Sequence, residues 1–415
     1  MHDVGVREEL ILPGLVAIEH SFEVPLDHDG RDERRITVFA RELADPVGRK
    51  RPFLLFLQGG PGGEAPRPMA RPRSPSWLRR ALEDFRVLLL DQRGTGRSAP
   101  VGGLEGLEPD ARADYLAHFR ADSIVRDAEF IRRELGVDRW SVLGQSFGGL
   151  CVTTYLSFAP DGLREALITG GLPPLGRGID EVYERTYLRV IQRQRSYAER
   201  YPGDVQRLSR LRHALEDRPV RLPGGDRLTW RRFRQVGAML GMSDGAERLH
   251  YLLELPLDSP AFLRDAEDPL NFTRNPLYAI LHEACWADGG STRWSAQRML
   301  PPEFESQNRL TGEHVYPWMF EEYGALAPLR EAAHLLADRE WPRLYDPDVL
   351  AHNEVPSAAL IYTDDMYVER SFSEETASRI HGLRTWITSE YDHNGLRVDG
   401  ERILGRLLDL ARGRI

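Results

Sequence analysis

The sequence predicts an α/β fold: a mostly parallel, eight-stranded sheet carrying an inserted helical domain. Short apolar runs bounded by turn residues recur along the 415-residue chain, and helical stretches separate the early ones. Strands that alternate with helices return to one sheet as parallel neighbours, with helices on both faces. A gap in this rhythm between about residues 172 and 354 marks the insertion.

The elements follow in order. Residues 15–25 (LVAIEHSFEVP) and 35–43 (RITVFAREL) alternate in part between apolar and polar, as an antiparallel N-terminal pair does. FLLFL (53–57), RVLLLD (86–91), WSVLGQ (140–145) and EALITG (165–170) are nearly continuous apolar runs, the pattern of strands covered on both faces. The stretch 122–135 (DSIVRDAEFIRREL) reads as a helix stopped by Gly136. AALIYT (358–363) and TWITSE (385–390) complete the eight strands. Between them, residues 172–354 read as helices and loops, with Pro/Gly punctuation at LPPLGRGID and LPGGD. A structureless loop of that length does not occur in a compact domain, so the segment is expected to be a helical cap. The expected division is a sheet domain of residues 1–171 and 355–415 and a cap of 172–354.

Composition narrows the classes of function. A formal net charge of −9 argues against a nucleic-acid partner, which calls for a basic surface. Only Lys50 among the 55 basic residues is lysine, and the arginines are scattered among acids rather than gathered into a phosphate site. Cys151 and Cys285 are too few for a disulfide framework and suit a reducing compartment. The opening MHDVGVREEL lacks the apolar core of a secretory signal, and no apolar run approaches a membrane span. The expectation is a cytoplasmic protein with no membrane contact.

Gly144-Gln145-Ser146-Phe147-Gly148 has the G-x-S-x-G spacing of a nucleophile elbow, where a serine is projected from a strained strand-to-helix turn. Five residues of this kind arise by chance in a glycine-rich chain. Their place between a strand and a helix gives them weight. A serine nucleophile needs a base, and the base an orienting acid, in the chain order Ser, Asp/Glu, His for this arrangement. His393, in YDHNGL, follows the last expected strand, and TDDM after the preceding strand offers Asp364 and Asp365. Asp392 is a weaker acid candidate, because a sequence neighbour of the histidine projects in another direction. Gln58-Gly59-Gly60-Pro61-Gly62 follows FLLFL at the same sheet edge, where an amide can pair with that of Phe147 to stabilise an oxyanion. Neither glycine-rich stretch reads as a phosphate cradle: GK[ST] is missing, and no G-x-G-x-x-G opens a helix. DQRGTGRS (91–98) is expected to shape the sheet edge.

Taken together, LQGGPGGE, DQRGTGRS, GQSFGG, NPLYAILHE, GEHVYPWMF, TDDMYV and YDHNGLR resemble the proline iminopeptidase (prolyl aminopeptidase) family, in its larger members. The similarity runs from about residue 15 to 410. It implies the α/β-hydrolase fold with a helical cap, and a serine peptidase that releases N-terminal proline from short peptides through an acyl-enzyme, with no metal or organic cofactor. It further implies Ser146 as nucleophile, His393 as base, Asp365 rather than Asp364 as orienting acid, and the Gly60 and Phe147 amides as oxyanion hole. Gln58 is a departure, since the family usually has histidine before GGPG.

The resemblance also implies Glu283 and Glu313 as the carboxylates that hold the substrate's free amine. Physical chemistry points the same way, because an ammonium in a partly dry pocket needs a fixed counter-charge. His282-Glu283 forms half of the H-E-x-x-H zinc pattern, but Trp286 stands where the second histidine belongs. Trp286, Tyr316, Trp318 and Phe320 are candidates to wall a pyrrolidine pocket. Cys151 and Cys285 lack the spacing of a triad and read as non-catalytic. Rival readings are an esterase or an aminopeptidase of broader preference, and a non-catalytic binding protein on the same fold. An acid nucleophile, as in dehalogenases, is excluded by Ser146.

Overall fold

The computed structural model describes residues 8–70 and 73–415. Nine strands form the main sheet: β1 (Glu8–Leu12), β2 (Leu15–Pro25), β3 (Arg35–Ala44), β4 (Phe53–Leu57), β5 (Arg86–Leu90), β6 (Trp140–Gln145), β7 (Leu163–Thr169), β8 (Ser357–Tyr362) and β9 (Leu383–Thr388). Their spatial order is β1-β2-β3-β5-β4-β6-β7-β8-β9. The first three pair antiparallel, as does β3 with β5, and every later pairing is parallel.

The sheet has one strand more than the eight expected. β1 pairs with β2 around the two-residue turn Pro13-Gly14. It is a short edge strand whose Ile11 is 79% exposed, so it carries no alternation of burial from which a strand could be read. A second difference lies in the insertion. LPGGD is the turn of a small ladder in which Val220–Arg221 pairs with Arg227–Leu228. Residues 172–354 otherwise supply helices, the longest being Ile179–Arg200 and Pro202–Asp217, and add no strand to the main sheet.

The period-2 geometry of strands sorts the core into two layers. All five residues of β4 are buried, yet Leu54 and Phe56 face one layer while Phe53, Leu55 and Leu57 face the other. The first layer is closed by the helices Leu78–Asp84 and Gly400–Ala411. The latter buries Ile403, Leu404, Leu407 and Leu408, one stripe of an amphipathic helix. The second layer is closed by Ala121–Glu134 and Phe147–Phe158. It continues without a break into the inserted helices, where Tyr183, Tyr187 and Phe233 belong to the same cluster. The insertion is thus packed onto the carboxyl side of the sheet by shared apolar burial.

The two layers set the scale of mutational damage. Leu404→Ala, at a fully buried site, is expected to cost about 2–5 kcal/mol. Ile11→Ala on the exposed edge should stay within about 0.5 kcal/mol of the parent. Urea denaturation of both variants checks the contrast.

Candidate active site

Ser146 sits between β6 and the helix Phe147–Phe158 with φ 55° and ψ −123°, a backbone conformation that costs a non-glycine residue roughly 1–3 kcal/mol. The glycines around it are dictated by close approach. A Cβ on Gly144 would stand 2.2 Å from the Gly148 carbonyl oxygen, one on Gly148 2.0 Å from that of Leu57, and one on Gly149 2.7 Å from that of Gly171. Strand, helix and neighbouring strand ends meet here with no room for side chains. The turn is held by the Ser146 amide, which donates to the Thr169 carbonyl at 2.9 Å.

His393 and Asp365 arrive from the loops after β9 and β8. His393 Nε2 lies 2.8 Å from Ser146 Oγ, and His393 Nδ1 lies 2.7 Å from Asp365 Oδ2. The other carboxylate oxygen of Asp365 accepts from the amides of Tyr367 (2.9 Å) and Val368 (3.1 Å). Asp365 is only 2% exposed, whereas its neighbour Asp364 points to solvent. Burial pushes the His393 imidazole down in pKa, but the charge and hydrogen bond of Asp365, aided by the charge of Glu313, outweigh it and hold His393 above the ordinary histidine value. Tyr367 presents its ring edge-on to the imidazole at 4.8 Å between centroids.

Two arginines of the inserted helix Ile179–Arg200, one turn apart, tie down these loops. Arg189 forms a forked pair with Glu369 (2.6 and 2.8 Å), just past the Asp365 loop. Arg193 pairs with Asp392, so that carboxylate is engaged away from the imidazole and is not the orienting acid.

On the opposite side of Ser146, the loop after β4 comes within van der Waals range. A Cβ on Gly59 would stand 3.1 Å from that of Ser146, which puts Gly60 next to the nucleophile. Phe147 opens its helix, so its amide has no intrahelical acceptor. Gln58, the departure from the family pattern, is held through its carbonyl by Gln92 Nε2 at 3.2 Å. DQRGTGRS braces this edge: the buried Asp91 carboxylate accepts from the Ala65 and Arg97 amides and from the Arg67 guanidinium.

The two glutamates occupy different surroundings. Glu313, 27% exposed, lines the cleft. Burial works to raise its pKa, but nearby His282 (Nε2 4.0 Å from Oε2), a hydrogen bond from Tyr278 and the charge of His393 hold it below the usual carboxylate value. Glu283 is buried. Its Oε1 accepts from the Ala296 amide at 2.8 Å, and Oε2 has no partner. Burial pushes its pKa up to about 7 against hydrogen bonds that pull it down.

Two compartments share Ala238, Pro269 and Glu313. The smaller, about 210 Å³, is walled by Leu270, Phe272, Tyr278 and Val315. The larger, about 720 Å³, passes Tyr367 and Asn394, the neighbour of His393, and opens towards Arg248 and Arg397. The aromatic walls are therefore Phe272 and Tyr278 rather than those anticipated. Tyr316 and Phe320 are core residues, Trp318 stacks on Tyr316 at 5.8 Å, and Trp286 packs half-buried against the core. Tyr278, His282 and Tyr367 were missed as site residues; NPLYAILHE and TDDMYV contain them, but nothing in those strings tells a wall residue from a core one. Both cysteines are buried and their thiols pushed well up in pKa by burial, the opposite of an activated thiolate. Among the described residues no group of three or more His, Cys, Asp or Glu is placed to share a metal ion, and no helix is long and apolar enough to cross a membrane.

A family model described as the alpha/beta hydrolase fold matches residues 52–395. A proline iminopeptidase of Aeromonas sobria is 49% identical over 97% of this chain and 98% of its own length. A proline iminopeptidase of Aspergillus aculeatus is 34% identical over 96% of this chain and 94% of its own.

The electrostatics predict two pH effects. A base that must be neutral gives kcat/KM an acid limb, here with a midpoint above 6.5. Asp365→Asn should move that limb to lower pH and reduce turnover by about 10⁴, while Asp364→Asn changes little; pH–rate profiles of both variants decide. Glu283 binds its proton more tightly folded than unfolded, so its stabilising contribution is full below about pH 4.5 and lost as pH rises through about 7. Above that, the buried carboxylate costs about 3 kcal/mol. Glu283→Gln should therefore gain stability over the parent progressively from pH 5 to pH 8, read by urea denaturation; a constant difference would contradict the assignment.

Proposed function

The chain belongs to the proline iminopeptidase family of α/β hydrolases, and from that premise we propose that it is a serine aminopeptidase releasing N-terminal proline from short peptides. The observation that carries this reading is the hydrogen-bonded series Ser146–His393–Asp365 with the Glu313 carboxylate near enough for its charge to act on the imidazole. On this reading His393 is the base, Ser146 the nucleophile and Glu313 a fixed counter-charge for an ammonium.

In the proposed reaction His393 Nε2 takes the Ser146 proton as Oγ attacks the prolyl carbonyl. The Gly60 and Phe147 amides receive the resulting oxyanion. His393 then delivers that proton to the departing amine, and the peptide bond breaks to leave prolyl-Ser146. A water, deprotonated by the same nitrogen, attacks the ester and frees proline and the serine. Asp365 keeps Nδ1 protonated and stabilises the transient imidazolium. Glu313 and Glu283 take the ammonium of proline; the unpartnered Glu283 Oε2 favours that role, because a cation beside it would return its carboxyl to the ionised form. Residues 172–354 act as the cap and 1–171 with 355–415 as the catalytic domain. We extend the reading to a cytoplasmic setting on the strength of two free cysteines.

An esterase or broader aminopeptidase would use the same triad, but a neutral ester gains nothing from two carboxylates. Substrate panels separate the readings. Ser146→Ala should abolish turnover with the fold intact, and chelators should have no effect. Glu313→Gln and Glu283→Gln should each lower kcat/KM for a prolyl arylamide by roughly 10- to 100-fold, the loss of one charge-assisted hydrogen bond. A small neutral ester should be far less affected, and N-acetylation of the prolyl substrate should mimic the mutations. Equal losses on the ester would make the glutamates structural, and good cleavage of the acetylated substrate would defeat the aminopeptidase reading.

A further inference from the structure

The larger compartment is unlike the smaller one in charge as well as size. Glu313, which it shares with the smaller compartment, lines it together with the exposed Arg248 and Arg397. Two further acids line it, Asp244 and Asp268. Asp268 pairs with Arg264 at 2.9 Å, and Asp244 stands 4.0 Å from Arg248. Arg397, on the short helix Gly395–Val398 that follows Asn394, is exposed and rests its Nη2 3.6 Å from Met242 Sδ. Among the described residues no carboxylate lies within ion-pair distance of it. Arg397 lines the compartment together with Asn394 and with Tyr367, whose ring packs edge-on to His393.

A compartment lined both by a carboxylate and by a guanidinium free of any acid partner is complementary to a zwitterion. We infer, resting on the aminopeptidase reading above, that the larger compartment is a subsite for the leaving part of a short peptide, with Arg397 receiving its C-terminal carboxylate. The ring of the N-terminal proline occupies the small compartment, its ammonium lies at Glu313, and the remainder runs past Asn394 to the mouth. Arginine suits this task because its planar fork meets both carboxylate oxygens at once. The favoured substrates are thus short peptides with a free C-terminal carboxylate, in preference to their amides.

The test compares kcat/KM for prolyl-alanine and prolyl-alanyl-alanine with the corresponding C-terminal amides, with a prolyl arylamide run alongside. The parent enzyme should prefer the acid over the amide by about tenfold or more at one of the two lengths. Arg397→Gln should bring that ratio close to one, and Arg397→Lys should keep part of it. An acid-to-amide ratio near one in the parent at both lengths, or an unchanged ratio in Arg397→Gln, overturns the subsite. Cleavage of the arylamide with no acid preference removes only this inference. Failure on the arylamide and all four peptides removes the aminopeptidase reading with it.

Discussion

Everything at this site depends on one backbone conformation, the left-handed turn at Ser146. It survives because packing over-determines it: β4, β6, the helix behind the serine and the end of β7 meet so closely that Gly144, Gly148 and Gly149 admit no Cβ. The same convergence brings the loop after β4 against the serine and leaves the first amides of the helix without intrahelical acceptors beside it. Ser146, the loop after β4 and the sheet edge are therefore a single packed unit, and the strain at Ser146 is sustained by the two apolar layers that hold the strands in register.

Around that unit the charges are arranged against burial. Asp365 is almost wholly enclosed, yet two backbone amides and the imidazole satisfy it, and its field keeps His393 protonated to higher pH than burial alone would allow. Glu313 is kept ionised by His282, Tyr278 and His393, while Glu283 is driven towards its neutral form by an environment that satisfies one oxygen and not the other. A low-dielectric interior makes such an unpaired oxygen costly, and costly features persist at functional sites. The two glutamates thus differ in protonation although both belong to the inserted segment.

The parts of this architecture that follow a period or a spacing were legible in the sequence. Continuous apolar runs gave the parallel strands, and G-x-S-x-G in its strand–helix context gave the elbow. β1 escaped because an exposed edge strand has no buried face to alternate, and the ladder around LPGGD because two-residue strands have no period. The choice between Asp364 and Asp365 turned on resemblance alone, whereas in three dimensions burial separates them at once. Pocket walls were the least legible: Phe272 and Tyr278 line the cleft while Tyr316 and Phe320 fill the core, and aromatic residues in either role look the same along a chain.

The paired arginines of the helix Ile179–Arg200 carry a consequence for how such proteins can be remodelled. Arg189 and Arg193 reach from the insertion to the segments that present Asp365 and His393, so the inserted helices are not a detachable shutter over a self-sufficient engine. Grafting a foreign insertion between β7 and β8 would remove the guanidinium partners of Glu369 and Asp392, leaving Glu369 only its bonds from Ser371. A transplanted segment would have to bring two cations a helical turn apart, or the recipient loops would have to surrender both acids.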